Sequence, residues 1–213
     1  MTTSFVKRAS LAVAAGAVVG TAGAADPTAV EELITRIKSK DENVRTQAWL
    51  TAGKVGVPAI RPLTETMICE DREAALAARR ALGQIVVNAG RPGAGDEAKA
   101  VAAELVAQLR DDRPLQVRRE VVWLVSEIGG DDAVGAVASL LGNGELREDA
   151  RCSLQRIPGE KSLAALRTAL ESSPEEFRPA LAAALRARGV AVSGYPSQKL
   201  VPTRPTAVKP VGR

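Results

Sequence analysis

Histidine is absent from this 213-residue chain, and the absence removes much chemistry at once. A zinc site built on imidazoles, a Ser-His-Asp triad, a Cys-His pair and a His general base all need the missing ring. Only carboxylate, Lys or Tyr chemistry stays open, and no catalytic, metal or cofactor site can be assigned. Aromatics are scarce too: two Phe, two Trp and one Tyr leave little bulky filling for a sheet core and few surfaces for stacking bases. Cysteine is limited to Cys69 and Cys152. What remains is dominated by Ala, Leu, Val, Arg and Glu, with 46% hydrophobic residues. That is the residue set of close-packed helices, so the class is all-α.

The formal charge is +4, and where it lies matters more than its size. Lys7 and Arg8 stand near the start, and Lys199, Arg204, Lys209 and Arg213 occupy an end without acids. The middle is therefore slightly acidic, with no net basic field for phosphates. A specific nucleic-acid partner is not expected.

Residues 1–24 have the layout of a secretory signal peptide: Lys7-Arg8, then the small apolar run Ala9 to Val19, then Ala22-Gly23-Ala24. The run is too short and Ala-rich for a membrane span, so the mature chain should have none. No Cys follows it to take a lipid, and no twin-Arg pair precedes it. An exported, periplasmic or extracellular protein is expected, cleaved before Ala25 or Asp26; the alternative is an uncleaved anchor or an Ala-rich helix.

One pattern then recurs five times. Val44-Arg45, Ala48, Ala52-Gly53 and Val55-Gly56 align with Ala74-Ala75, Ala78, Leu82-Gly83 and Ile85. The same positions return at Val117-Arg118, Val121, Val125 and Ile128; at Leu146-Arg147, Ala150, Leu154 and Ile157; and at Phe177-Arg178, Leu181, Leu185 and Gly189. Apolar spacing of i, i+4, i+8, i+11 marks one face of a helix. Upstream of each lies a shorter stripe, such as Val30, Leu33, Ile34 and Ile37, separated from it by a polar turn. Each unit is a helical hairpin, and the units run at about 27–57, 58–88, 97–130, 131–159 and 160–189.

The anchors Val44, Ala74, Val117, Leu146 and Phe177 are 30, 43, 29 and 31 residues apart. The long interval coincides with a cluster of helix breakers, which predicts a projecting Gly/Pro loop over 88–96. Residues 25–189 form one repeat domain, since a hairpin of this size buries its stripes only by stacking. Cys69 and Cys152 fall on different units, too far apart to bridge, so both should be free. In the last unit Arg188 replaces the apolar residue of the others, as in a terminal cap facing no further repeat. Residues 190–213, with four prolines, should form a disordered basic tail containing a PxxP sequence at Pro202 to Pro205.

The Asp-x-x-Val-Arg-x-x-Ala-x-x-x-Ala-Gly-x-Val-Gly of residues 41–56 resembles the second helix of HEAT repeats, in particular the short bacterial kind also found in phycobilisome-lyase-like proteins. The resemblance implies a right-handed α-solenoid of about five hairpins, with the second helices lining a concave binding face. It also implies a ladder between units, made by the turn acid Asp41 and by Arg45, Arg118, Arg147 and Arg178. Ala75 should interrupt that ladder in unit two.

Projecting the helical period outward from the buried stripes leaves two ridges on the second helices. Leu50, Arg80, Trp123, Cys152 and Ala183 make one; Lys54, Gln84, Glu127, Arg156 and Ala187 make the other, flanked by Arg119 and Glu120. Trp123 is then either an exposed anchor ringed by Arg80, Arg119 and Arg156 or a side chain packed between repeats, whereas Trp49 belongs between units one and two. The expected function is a non-enzymatic scaffold, monomeric alone and without cofactor, that binds another protein through Leu50, Lys54, Arg80, Gln84, Arg119, Glu120, Trp123, Glu127 and Arg156. Two rivals remain. One is an enzyme or enzyme accessory of the lyase-like kind, for which the exposed acids Glu120, Glu127, Glu148 and Asp149 offer little. The other is weak adhesion of the basic tail to nucleic acid or an anionic surface.

Overall fold

A computed structural model describes residues 27–110 and 112–196. Ten α-helices carry the described chain, and no strand occurs among the described residues. They pair in chain order: α1 (Pro27–Ile37) with α2 (Glu42–Thr51), α3 (Ile60–Thr66) with α4 (Arg72–Ala89), and α5 (Gly95–Ala107) with α6 (Leu115–Ile128). Two further hairpins follow, α7 (Asp131–Ser139) with α8 (Arg147–Arg156) and α9 (Glu160–Ser172) with α10 (Arg178–Ala187). First helices pack on first helices and second on second along the array, which makes an α-solenoid of two layers.

The entry to each second helix is marked by one position, three residues before each anchor. Asp41 Oδ1 accepts from the amides of Asn43 and Val44 at 2.8 and 3.4 Å. Asp71 repeats this with Glu73 and Ala74 at 3.1 and 3.3 Å, and Asn143 with Glu145 and Leu146 at 2.9 and 3.2 Å. Asp41 and Asp71 thereby satisfy amides that the first turns of α2 and α4 leave without partners, and Asn143 ties the turn that leads into α8. In the other two units the position is Pro114, which fixes φ immediately before α6, or Pro174, which precedes the turn leading into α10.

The anchors then enter the core between the layers. Ala74, Val117, Leu146 and Phe177 are buried and Val44 is half-buried, with Ala48 buried one turn on; Ile37, Ile60, Leu63, Leu105 and Leu166 from the first-helix stripes are buried too. Burying a Leu or Ile side chain contributes about 1.5–3 kcal/mol, so one hairpin's few such residues need neighbours to stand. Units one and two approach so closely that a Cβ on Gly53 would lie 2.7 Å from Asn88 Cβ. At that contact Asn88 Nδ2 donates to the Gly53 carbonyl at 2.9 Å.

The Gly/Pro loop expected over 88–96 is shorter than predicted. Leu82, Ile85, Val86 and Ala89 continue one buried stripe, so α4 runs 18 residues through Ala89. Helix α5 opens at Gly95 and runs 13 residues. The extra length of this unit is thus mainly helix, and the turn at 90–94 is held close: Arg91 bonds the Asn88 carbonyl at 2.6 Å and pairs with Glu97 at 2.7 Å.

Arg188 also departs from expectation. Its guanidinium turns back onto the preceding unit, where Nη1 donates to the carbonyls of Leu154, Gln155 and Ile157 at 3.2, 3.3 and 2.8 Å. Nη2 reaches the Gly159 carbonyl at 3.2 Å. A cation thus closes the C-terminal end of α8, where carbonyls lack partners and the helix dipole is negative. The tail expected from residue 190 begins docked: Val190 and Val192 pack against the core, and the Val192 carbonyl accepts from Arg186 at 2.8 Å. The rest of the expected tail, residues 197–213, and the expected signal segment 1–24 lie outside the described residues.

Candidate partner-binding face

Each junction between units carries ion pairs. Lys40 meets Asp71 at 2.7 Å and Arg45 meets Glu73 at 4.0 Å between units one and two. Arg79 meets Glu120 at 2.6 Å and Arg113 meets Glu65 at 3.9 Å at the next junction. Arg119 with Asp149 at 3.5 Å, and Arg156 with Glu127, join units three and four. Arg147 with Glu176 at 3.4 Å and Lys161 with Asp131 at 3.8 Å join the last two. Mostly exposed, each such pair contributes at most about 1 kcal/mol.

The ladder expected from the resemblance is therefore differently built. Asp41 caps its own helix rather than an arginine of another unit. Arg178 bonds the Ser173 and Glu171 carbonyls at 2.8 and 3.4 Å within its own hairpin, and Arg45 likewise bonds the carbonyls of Ser39 and Lys40 at 2.9 and 3.0 Å. Arg147 reaches the next unit, both through Glu176 and by lying 4.9 Å from the centre of the Phe177 ring. Arg118 is buried at the start of α6. Where Ala75 leaves a gap, Arg79 one turn later spans to Glu120, so the junction is not interrupted. At Asp71 the Lys40 ammonium, followed by the Ala74 amide, holds the carboxyl below its ordinary value.

On the outward side of the second helices, Leu50, Lys54, Arg80, Arg119, Trp123, Glu127 and Arg156 are exposed, while Gln84 and Glu120 are half-buried. Trp123 keeps 51% of its surface. It lines an open groove of about 610 Å³ together with Arg119 and Glu120, the apolar Met67 and Leu115, and Arg79 and Asp149. The Arg156 guanidinium lies 4.6 Å from the centre of the Trp123 ring, a cation–π contact. Arg80 is not part of this ring of cations. It lies 5.6 Å from the Trp49 ring instead, and Trp49 is half-buried against the core.

The structure thus brings together Arg119, Glu120, Trp123, Glu127 and Arg156 on units three and four, and leaves Leu50, Lys54, Arg80 and Gln84 on units one and two. Sequence reasoning missed Arg79, Met67 and Leu115. Arg79 shares the repeat position of Trp49, which marks packing between units, so its reach across the junction had no separate signal. Cys69 is half-buried and Cys152 exposed, and both are free. Among the described residues no helix is long and apolar enough to cross a membrane, and no group of His, Cys, Asp or Glu could hold a metal ion.

Residues 3–83 match the family model described as HEAT repeats. This stretch is similar to HEAT repeats. The match covers the first hairpin and the second as far as the middle of α4, and begins inside the segment with the signal-peptide layout. The three hairpins that follow repeat the same arrangement of buried stripe and short turn. No curated protein matches the sequence. Among solved structures, the chain is 22% identical to an engineered protein from the Northeast Structural Genomics Consortium, with a TM-score of 0.38, over 74% of this chain and 78% of that one. It is 16% identical to a designed armadillo repeat protein, with a TM-score of 0.30, over 74% and 99%.

Proposed function

We propose that the protein is a non-enzymatic scaffold that binds another protein through the outward face of its second helices, outside the cytoplasm. The observation that carries this reading is Trp123: a large aromatic half open to solvent in a groove where units two, three and four meet. A stable solenoid gains little by leaving such a ring uncovered, and buried aromatics dominate the energetics of protein interfaces. Arg119, Glu120, Glu127 and Arg156 surround the ring, while Leu50, Lys54, Arg80 and Gln84 extend the same face toward the first unit. Export is supported by the layout of residues 1–24.

The test is a quantitative pull-down with the full chain and its Trp123→Ala variant, followed by identification of what is retained. A specific protein captured by the first and lost from the second supports the scaffold; capture indifferent to Trp123 would remove this face from the proposal. N-terminal sequencing of the native protein tests export separately. A start at Ala25 or Asp26 supports it, and an intact Met1 recovered from the cytosol defeats it.

A further inference from the structure

Around Trp123 the charges are paired, but they are not presented equally to solvent. The Arg79 side chain is 58% exposed against 11% for its partner Glu120, and that of Arg119 is 53% exposed against 40% for Asp149. The guanidinium groups therefore stand above the carboxylates that hold them. Each arginine also keeps donors free. Arg79 engages Glu120 through Nε, which leaves its terminal NH2 groups; Arg119 uses Nε for Asp149 and Nη2 for the Glu145 carbonyl at 3.0 Å, which leaves Nη1. Between them lies an apolar strip made by Trp123, Leu115 and Met67.

Resting on the reading of this face as a protein-binding surface, the geometry points to the chemistry of the partner: an extended acidic segment in which carboxylates flank one apolar or aromatic side chain. The apolar side chain covers the Trp123 strip. The carboxylates accept from Arg79 on one side and from Arg119 on the other, each pre-positioned by its acid partner, Glu120 or Asp149. Glu120 and Asp149 fix the two arginines without consuming all their donors, so acidic ligands gain charge-assisted bonds that neutral ones cannot make. A basic segment meets guanidinium groups first and is repelled. The middle of the chain has no net positive charge, so the selectivity is local to this groove rather than a general attraction for anions.

Random peptides displayed on phage, selected against the immobilised full chain, test the assignment. Enriched sequences are expected to place Asp or Glu on both sides of a Leu, Phe, Trp or Tyr. The best of them, titrated by fluorescence in the Trp49→Phe background, should perturb Trp123. Arg79→Gln and Arg119→Gln, checked for unchanged circular dichroism and melting, should each weaken it tenfold or more. Exchange of its acids for Lys should abolish binding, and 500 mM NaCl should weaken it strongly. Selection of neutral or basic peptides that still need Trp123 would overturn the acidic assignment and leave the scaffold intact. Displacement of the peptide by oligothymidylate at similar affinity would also overturn it, in favour of nucleic acid. If no peptide depends on Trp123, the acidic assignment falls. The pull-down with the Trp123→Ala variant then decides separately whether the face binds protein at all.

Discussion

Arg188 takes the repeat position that Val55, Ile85, Ile128 and Ile157 fill in the other units, and it substitutes hydrogen bonds for apolar packing. Five donors in a planar fork suit several carbonyls at one helix end, which Lys could not match. Replacing Arg188 with Met should cost about 1–3 kcal/mol in urea unfolding, because half-buried carbonyls of α8 lose their partners. An unchanged midpoint would show that water substitutes fully. Trp123 and Trp49 offer a second comparison at this scale. With its ring half open, Trp123→Ala should cost about 1 kcal/mol or less, whereas Trp49→Ala, which removes a ring packed against the core, should cost about 2–4 kcal/mol. In the Trp49→Phe background, emission should lie at long wavelength and be quenched readily by acrylamide; blue-shifted, protected emission would contradict the exposed ring.

At the scale of elements, the helices were legible because the buried stripes dictate them: four of the five anchors, all but the half-buried Val44, and most first-helix stripe residues are buried. The turn positions were legible as well, since Asp41, Asp71 and Asn143 are residue types that cap. Less legible was the end of α4. Asn88 and Ala89 adjoin Gly90, Pro92 and Gly93, and the breakers masked the fact that Ala89 completes the stripe of Leu82, Ile85 and Val86. The direction of long side chains was not legible at all. Arg80 could reach either tryptophan, and only the stacking of units places it over Trp49; Arg79 gave no hint that it would cross to Glu120. Two tests belong to these elements. Gly53→Val inserts methyl groups where even a Cβ would meet Asn88 at 2.7 Å, and should destabilise the protein by about 2 kcal/mol or more through separation of α2 from α4. The Lys40 contact across the same junction should keep the Asp71 carboxyl titrating below the ordinary range near 3.9, as read by carbon-13 NMR. A folded-state value lowered in this way contributes stability above the unfolded value, and the contribution is lost as pH falls through the folded one. Lys40→Ala should raise the Asp71 midpoint; no movement would remove Lys40 as its main cause.

Among the described residues, stability is distributed by neighbour contacts, the helices of each unit packing on those of the adjacent units. Interior hairpins are held from both sides, the end hairpins from one. Native-state hydrogen exchange should therefore grade along the array, with the amides of α4 and α6 slowest and those of α1 and α2 among the fastest. The other end should resist more than its position alone implies, because Arg188 ties α10 to the carbonyls at the end of α8 and Val190 and Val192 fold back onto the core. Arg188→Met should then accelerate exchange in both α10 and the last turn of α8 while leaving α2 and α4 unchanged. Equal acceleration throughout would mean that the array opens as a single cooperative unit, and the picture of stability passed from neighbour to neighbour would have to be given up.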